Sequence, residues 1–313
     1  MSASLLQPKV LIPFTLITLI WGSTWLVITG QLGSVPPLWS VSYRFLIAAL
    51  ALFAYGAATR SRLRIDRRGH LLAAIVGVPQ FCLNYCFVYL AEQHVTSGLV
   101  AVVFAMLLVP NSLFAWLFLG HRVNGRFVAG SLVAAIGAAL LFVHEMEASR
   151  SSANEALTGV ELSVLALLCA SAANVIQASR GVRAYPMLAI LAWAMVYGVL
   201  FDMLLAWLLY GPPLFDPSAA YIAGLFYLAL LGSSLAFALY FIVIREIGPG
   251  RAAYSGLLVP VIAMALSTVF EHYQWSWMAA VGGLLAMVGL FIALQARRAE
   301  AAAPAIAQDP GGA

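Results

Sequence analysis

The sequence predicts an all-α membrane protein of ten transmembrane helices, arranged as a 5+5 inverted repeat with both termini in the cytoplasm. Of the 313 residues, 63% are hydrophobic and only 9% are charged. A soluble domain needs about 25% charged residues to cover its surface, so lipid must face most of this chain. Short sequence motifs that recur about 150 residues later predict that the chain consists of two similar halves.

A transmembrane helix needs about 20 mostly apolar residues, because each residue advances ~1.5 Å through ~30 Å of hydrocarbon. Ten segments qualify, at approximately 10–29, 37–58, 71–91, 97–119, 126–144, 159–179, 187–210, 219–244, 252–270 and 276–295. The first segment is too long for a signal-peptide core, so we interpret it as a retained helix. The predicted units are a five-helix repeat at 1–145, an outer connecting loop at 146–158, a second repeat at 159–296 and a disordered cytoplasmic tail at 297–313.

Basic residues predict the orientation, because loops rich in Lys and Arg stay in the cytoplasm. With the N-terminus inside, most of the 16 basic residues fall on the inner side. These are Lys9, Arg60, Arg62, Arg64, Arg67, Arg68, Arg122, Arg126, Arg180, Arg183, Arg245, Arg251, Arg297 and Arg298. Only Arg150 falls outside, and Arg44 lies within a span. The net charge of +4 therefore reflects orientation, and we predict no nucleic-acid partner.

Two similar motifs mark the repeat. The sequence Leu-Leu-Val-Pro occurs at 107–110 and again at 257–260. The spans that follow share glycines seven residues apart, which are Gly130 and Gly137 in one and Gly282 and Gly289 in the other. Because five is an odd number of spans, the second half must enter the membrane from the opposite side. Inverted repeats of this kind are typical of secondary transporters, whose substrate site lies near the midplane between the halves.

The order and spacing of several short motifs resemble the drug/metabolite transporter superfamily, specifically its EamA-type ten-helix exporters. The resemblance covers approximately residues 11–295 and rests on Trp21-Gly22-Ser23-Thr24, Pro37, Arg44, Thr96-Ser97-Gly98, Pro110, Gly120, Pro260 and Glu271. It implies that helices one, three, four, six, eight and nine surround a central cavity. That family usually carries a glutamate after the glycine that ends helix four. This chain has His121 there, so only Glu271 in the second half retains the acid.

Polar side chains inside a lipid-solvated bundle tend to face a cavity or another helix. The candidates for a substrate pathway are Thr18, Trp21, Trp25, Gln80, Asn84, Tyr85, Tyr89, Asn111, Asn174, Gln177, Phe237 and Tyr240. The alternative is structural, because hydroxyl and amide groups also join membrane helices by hydrogen bonds and tryptophans often only pack. We predict that Pro110 and Pro260 break or hinge helices four and nine.

Two charged residues fall within predicted spans. Arg44 either binds a substrate carboxylate or forms a structural pair with a loop acid such as Glu92. Asp202 either carries a coupled proton or is hydrogen-bonded to a neighbour near the interface. Further acids that could serve proton coupling are Glu161 and Glu271, and a facilitator or exchanger is as compatible with the sequence as a proton antiporter.

The cysteines and the missing motifs argue against catalysis. Cys82 and Cys86 lie one helical turn apart, but no acid or histidine lies nearby on that face. We therefore interpret them as packing residues and predict no metal site. Neither a phosphate-binding loop after a strand, nor a zinc-ligand cluster, nor a nucleophile elbow occurs in the sequence. We predict no catalytic residues and no cofactor.

The predicted function is a multi-pass inner-membrane secondary transporter. It exports a small organic solute, an amino acid or related metabolite, by alternating access, and works in the bilayer as a monomer or homodimer. One alternative is a membrane enzyme acting on a lipid-linked substrate, for which His121 with Arg122 and Glu271 with His272 are the candidate clusters. Another is a non-transporting partner protein within a larger membrane complex.

Overall fold

The computed structural model describes residues 7–120, 124–148, 153–247 and 254–302, and these ranges contain helices and no β-strand. Nine helices among them are long and apolar enough to cross a membrane, and one further apolar helix, Ser255–Phe270, is shorter. The ranges agree with the predicted all-α class. Four of the predicted loop residues, His121, Arg122, Arg150 and Arg251, lie outside the described residues.

We number the helices along the chain. They are α1 Pro8–Thr29, α2 Pro37–Ala58, α3 Arg67–Ala91, α4 Ser97–Leu119, α5 Gly125–Ala148, α6 Ala153–Ala178, α7 Met187–Tyr210, α8 (Ala219–Phe226, Tyr227–Leu235 and Ala236–Ile247 in succession), α9 Ser255–Phe270 and α10 Trp277–Ala302. A short helix, Arg180–Arg183, connects α6 and α7. Helices α5 and α6 extend into the predicted loop at 146–158, and α10 continues past the predicted start of the tail at 297.

Helices α3 and α8 each contain a π-helical segment, Val78–Leu83 in one and Tyr227–Leu235 in the other. The two segments begin 149 residues apart. In α3 the backbone N–H of Asn84 donates to the carbonyl of Pro79, five residues earlier, which is the hydrogen-bond pattern of a π-helix. A π turn carries an extra residue per turn and changes which side chains share a helix face. The faces of α3 and α8 therefore shift within the bundle.

Helix α4 is interrupted at 106–107, between Ser97–Ala105 and Leu108–Leu119. Pro110 explains the interruption, because its ring has no N–H to donate to the carbonyl of Met106 and is crowded by it. Pro260, in contrast, lies inside an α9 that continues without a break. Only about one turn of α9 precedes Pro260, so the missing hydrogen bond affects just the start of the helix.

Helices of the predicted first half pack mainly on helices of the second. The most extensive contact joins α5 and α10, where a Cβ atom added at Gly137 would lie 2.2 Å from the backbone nitrogen of Ala286. Small residues let two backbones touch in this way, so the glycines make α5 and α10 a scaffold pair. The other main contacts join α2 with α7, α3 with α6 and α7, α1 with α8 and α9, and α4 with α9.

On the predicted cytoplasmic side, polar contacts tie the ends of the helices together. Lys9 Nζ lies 2.7 Å from Glu246 Oε2. Asp66 caps α3 and accepts hydrogen bonds from the Tyr185 hydroxyl and the Gly69 amide. These two bonds, that from Tyr185 foremost, hold the pKa of the Asp66 carboxyl below its ordinary value. Segments that the distribution of basic residues places on the cytoplasmic side of the membrane are thus in contact with one another.

The predicted outer side shows the same arrangement. Ser34, between α1 and α2, donates to Asp216, between α7 and α8, at 2.8 Å. His144, near the end of α5, lies 2.6 Å from the carbonyl of Gln274, between α9 and α10. Each contact joins two segments that the charge pattern places outside.

Candidate functional site

A cavity of about 470 Å³ lies inside the bundle. Its lining comes from α1, α3, α4, α6, α8 and α9, the six helices expected to surround a central cavity, together with Arg44 of α2 and Leu290 and Leu294 of α10. The predicted pathway residues that line it are Trp21, Trp25, Gln80, Asn84, Tyr85, Asn111, Asn174, Phe237 and Tyr240, and Pro260 of α9 joins them. The volume lies within the range of about 300–1,000 Å³ that is usual for small-molecule sites.

Three predicted pathway residues lie elsewhere. Thr18 is buried, and its hydroxyl donates to the carbonyl of Phe14 one turn earlier on the same helix. Tyr89 is fully buried in the core, where it lies close to Arg44. Gln177 is half-buried, close to the end of α6 and outside the cavity lining. Pro110 and Asp202 also lie outside this lining.

The structure adds cavity residues that the sequence analysis did not select. Thr24, Ile28 and Val88 line the cavity next to predicted residues on α1 and α3. Ile28 and Val88 follow Trp25 and Asn84 by three and four positions, so helical spacing could have found them. Phe104 of α4 also lines the cavity, and no polar neighbour in the sequence marks it.

Arg44 is the only charged residue among the described residues that line the cavity. It is 1% exposed, and its Nε donates to the hydroxyl of Ser233 at 3.3 Å. Its guanidinium carbon lies 4.5 Å from the centre of the Tyr85 ring, which provides a cation–π contact. Its Nη1 has no hydrogen-bond partner, and among the described residues no carboxylate forms a salt bridge with it. Glu92, the predicted structural partner, is buried close enough to interact electrostatically with Arg44, but its carboxylate oxygens have no hydrogen-bond partner.

Neutral polar groups accompany Arg44 in the cavity lining. Gln80 and Asn84 are linked by a 3.2 Å hydrogen bond from the Asn84 amide to the Gln80 backbone carbonyl. Their side-chain oxygens, and the indole nitrogen of Trp25, are buried without partners. Asn174 on α6 lies 3.5 Å from Asn111 on α4. The lining therefore presents unpaired donors and unpaired acceptors to whatever occupies the cavity.

Aromatic rings form another part of the wall. Trp21 is held by a 3.2 Å hydrogen bond from its indole nitrogen to the carbonyl of Gly232. Its ring packs edge-on against Phe237 and tilted against Tyr240, with centroids 5.7 and 5.2 Å apart. These contacts fix the rings, so they offer a rigid apolar surface at little entropic cost.

Comparison with known proteins decides the family. The EamA-like transporter family matches residues 9–143 and again residues 157–295. The chain belongs to the EamA-like transporter family. It is thus a multi-pass transporter of the inner membrane that moves a small molecule across the bilayer, and not an enzyme.

Two relatives and one solved structure illustrate the similarity. The chain is 26% identical over 286 residues to a probable amino-acid metabolite efflux pump of Salmonella typhimurium, covering 88% of this chain and 92% of the relative. It is 29% identical over 255 residues to the inner membrane transporter YedA of Escherichia coli K12, covering 80% and 79%. A crystal structure with 22% identity superposes with a TM-score of 0.66 over 93% of this chain and 98% of the other, which shows a shared fold.

In this EamA-like transporter, Glu271 caps a helix and does not line the cavity. It ends α9, and its carboxylate accepts hydrogen bonds from the backbone amide of Ser97, at 3.2 Å, and from the Ser97 hydroxyl. Ser97 is the first residue of α4, where unpaired amides and the helix dipole favour a negative charge. The motif acid therefore fastens α9 to α4.

Asp202 lies apart from the cavity, between α7 and α3. It is fully buried, and its Oδ1 accepts a 3.0 Å contact from the Sγ of Cys86. No acid is near the two cysteines on their helix face in the sequence, because Asp202 comes from another helix, 116 residues away from Cys86. Of the two alternatives predicted for Asp202, a coupled proton or a hydrogen bond to a neighbour, the Cys86 thiol supplies a hydrogen-bonding neighbour.

Proposed function

We propose that this transporter exports amino acids or related carboxylate-bearing metabolites by alternating access. The observation that carries the proposal is the buried Arg44 guanidinium, which faces the cavity with Nη1 unpaired. A desolvated cation that forms no salt bridge is costly, and an anionic ligand in direct contact with it offsets that cost. Guanidinium binds carboxylate through strong, directional hydrogen bonds, so a carboxylate is the group that best fits this position.

The rest of the lining suits the other parts of an amino acid. The unpaired side-chain oxygens of Gln80 and Asn84 can accept hydrogen bonds from an ammonium group, and aromatic faces attract it as well. The fixed rings of Trp21 and Phe237 suit an apolar side chain. Because the described lining contains no Asp or Glu, a zwitterion fits better than a plain cation. The relative named as a probable amino-acid metabolite efflux pump supports this substrate class.

We further propose ten membrane helices in two inverted five-helix units, 1–145 and 159–296, joined outside by 146–158 and followed by a cytoplasmic tail at 297–313. The double family match supports the two units, as do the π segments 149 residues apart. Under such a repeat the contact of α1 with α9 corresponds to that of α6 with α4, and both occur. Each chain has its own cavity, so a monomer suffices for transport and a homodimer would carry two.

The proposed orientation makes the cavity accessible from the cytoplasm. Its lining extends to Ser255 at the start of α9 and to Leu294 near the inner end of α10. At the outer end, Gln31 donates to the carbonyl of Tyr221, and the Tyr221 hydroxyl lies 2.8 Å from that of Ser40, all buried. Export requires a second state in which these outer contacts separate and the inner end closes.

Efflux from liposomes tests the proposal, using purified protein and a preloaded panel of labelled amino acids, their amides and the corresponding amines. Asn174→Ala should slow efflux of the transported amino acid by about 2–10-fold, the worth of one neutral hydrogen bond. Gln177→Ala is the matched control, since this amide lies on the same helix outside the lining. Equal effects of the two substitutions would exclude Asn174 from the pathway. Efflux of amines in preference to amino acids would refute the substrate class.

A further inference from the structure

Three metal-ligating side chains meet between α3 and α7. Cys82 and Cys86 of α3 and Asp202 of α7 bring their ligand atoms within 4.8 Å of one another. All three residues are buried, with 0%, 5% and 0% of their surfaces exposed. None of them lines the cavity described above. Cys82 lies within the π segment Val78–Leu83, and such irregular turns often occur at functional sites.

The protein groups around Asp202 leave its carboxyl group poorly satisfied. In the described hydrogen-bond network the Oδ1 atom accepts from the Cys86 thiol, and the Cys82 thiol also lies close to the carboxyl group, but a thiol is a weak donor. The Oδ2 atom is buried and has no hydrogen-bond partner. Buried polar atoms nearly always have partners, so an orphaned carboxyl oxygen beside two thiols points to a ligand.

We propose that Cys82, Cys86 and Asp202 form a binding site for a thiophilic divalent cation such as Zn²⁺, Co²⁺ or Cd²⁺. Two thiolates and a carboxylate are the donor set that these ions prefer, in tetrahedral geometry. Zn–S bonds of ~2.3 Å require the two sulfurs to lie about 3.8 Å apart, which is compatible with ligand atoms that all lie within 4.8 Å of one another. The second carboxylate oxygen or a water molecule completes the coordination, and binding releases both thiol protons to solvent.

The site lies between α3 and α7, so a bound ion would link these two helices. Helices α3 and α7 belong to different predicted halves, and they touch where a Cβ added at Gly77 would lie 2.1 Å from the carbonyl oxygen of Ala194. An ion held by both helices adds a second link at this contact. Bound metal therefore stabilises the folded transporter and resists separation of α3 from α7.

Titration of the purified, reduced, full-length protein with Co²⁺ in detergent tests the site. We expect one equivalent to bind with a thiolate-to-cobalt charge-transfer band, and to raise the midpoint of thermal unfolding. Cys82→Ser and Cys86→Ser should each remove about half of the band and weaken binding at least tenfold, and Asp202→Asn should weaken it by about 10–100-fold. Cys169→Ser is the matched control, because the third cysteine is not among the clustered ligands.

Several outcomes overturn the proposal. These are a wild-type protein without the thiolate band, a band that survives both cysteine substitutions, and an unchanged affinity in Asp202→Asn. Size-exclusion profiles and helical circular dichroism must match the wild type for a variant to count. Cys82→Ala and Cys86→Ala replace any serine variant that fails this check. The readout is optical and needs no transport, so its failure is separate from failure of the proposed substrate.

Discussion

Substitution of Arg44 by glutamine tests the assignment of the carboxylate site most directly. Glutamine keeps a polar side chain but removes the positive charge and the guanidinium fork. A hydrogen bond to a charged group contributes about 1.5–3 kcal/mol, and about 1.4 kcal/mol corresponds to a factor of ten. The KM for a transported amino acid should therefore rise by about 10–150-fold. Arg44→Lys keeps the charge without the fork, so its effect should be intermediate.

The assay is the concentration dependence of efflux, measured for an amino acid and for its uncharged-carboxyl amide. The amide cannot use the guanidinium charge, so its KM should change by less than about threefold in Arg44→Gln. Thermal unfolding and size-exclusion profiles check that the variants fold, because Arg44 also contacts Ser233 and Tyr85. Equal changes in KM for the amino acid and the amide would show that Arg44 is structural.

Three further predictions concern stability. Glu271→Gln removes the charge that caps α4 at Ser97 and should cost about 1 kcal/mol in thermal unfolding. Gly137→Ala places a methyl group against the α10 backbone and should cost about 1–3 kcal/mol, whereas Gly283→Ala meets open space and should cost nothing. Asp66 should stabilise the start of α3 fully at pH values above the ordinary pKa of its carboxyl group, ~3.9. This stabilisation is lost as the pH falls through the lowered pKa of the folded state. Hydrogen exchange of the backbone amides at the start of α3 measures the loss.

Each of these predictions has a control. Glu271→Asp keeps the charge and should retain part of the cap, so identical losses from the two substitutions would point to packing. Equal destabilisation at Gly137 and Gly283 would contradict the close approach of α5 and α10. Asp66→Asn cannot ionise, and an acid-induced rise in exchange that persists in this variant would have to come from another group.

The general fold was predictable because its signals are local. Apolar length and loop arginines determine the spans, and Pro110 marks the interruption of α4. The π segment at Val78–Leu83 could not be predicted in the same way. It lies in an almost uniformly apolar stretch, which carries no periodic pattern to reveal a change in helical geometry. Pro260 was expected to act like Pro110, but its place near the start of α9 leaves that helix unbroken.

The cavity was predictable where polarity stood out. Asn84 and Asn174 drew attention because an amide in an apolar helix needs a partner or a cavity. Thr18 satisfied the same criterion but lies outside the cavity. Its hydroxyl bonds to its own helix, so a buried threonine needs neither a cavity nor a second helix. The meeting of Cys86 with Asp202 depends on how α3 packs against α7, and no local pattern carries that information.

The backbone contact between α5 and α10 limits how the transporter can move. With Gly137 seated directly on Ala286, neither helix can slide along the other without steric overlap. We therefore expect α5 and α10 to move together as a rigid body. Under the proposed alternating access, we expect the change of access to come from tilting of helices such as α1, α4 and α9, whose side-chain contacts can exchange. Distance labels on α5 and α10 should stay at constant separation throughout a transport cycle.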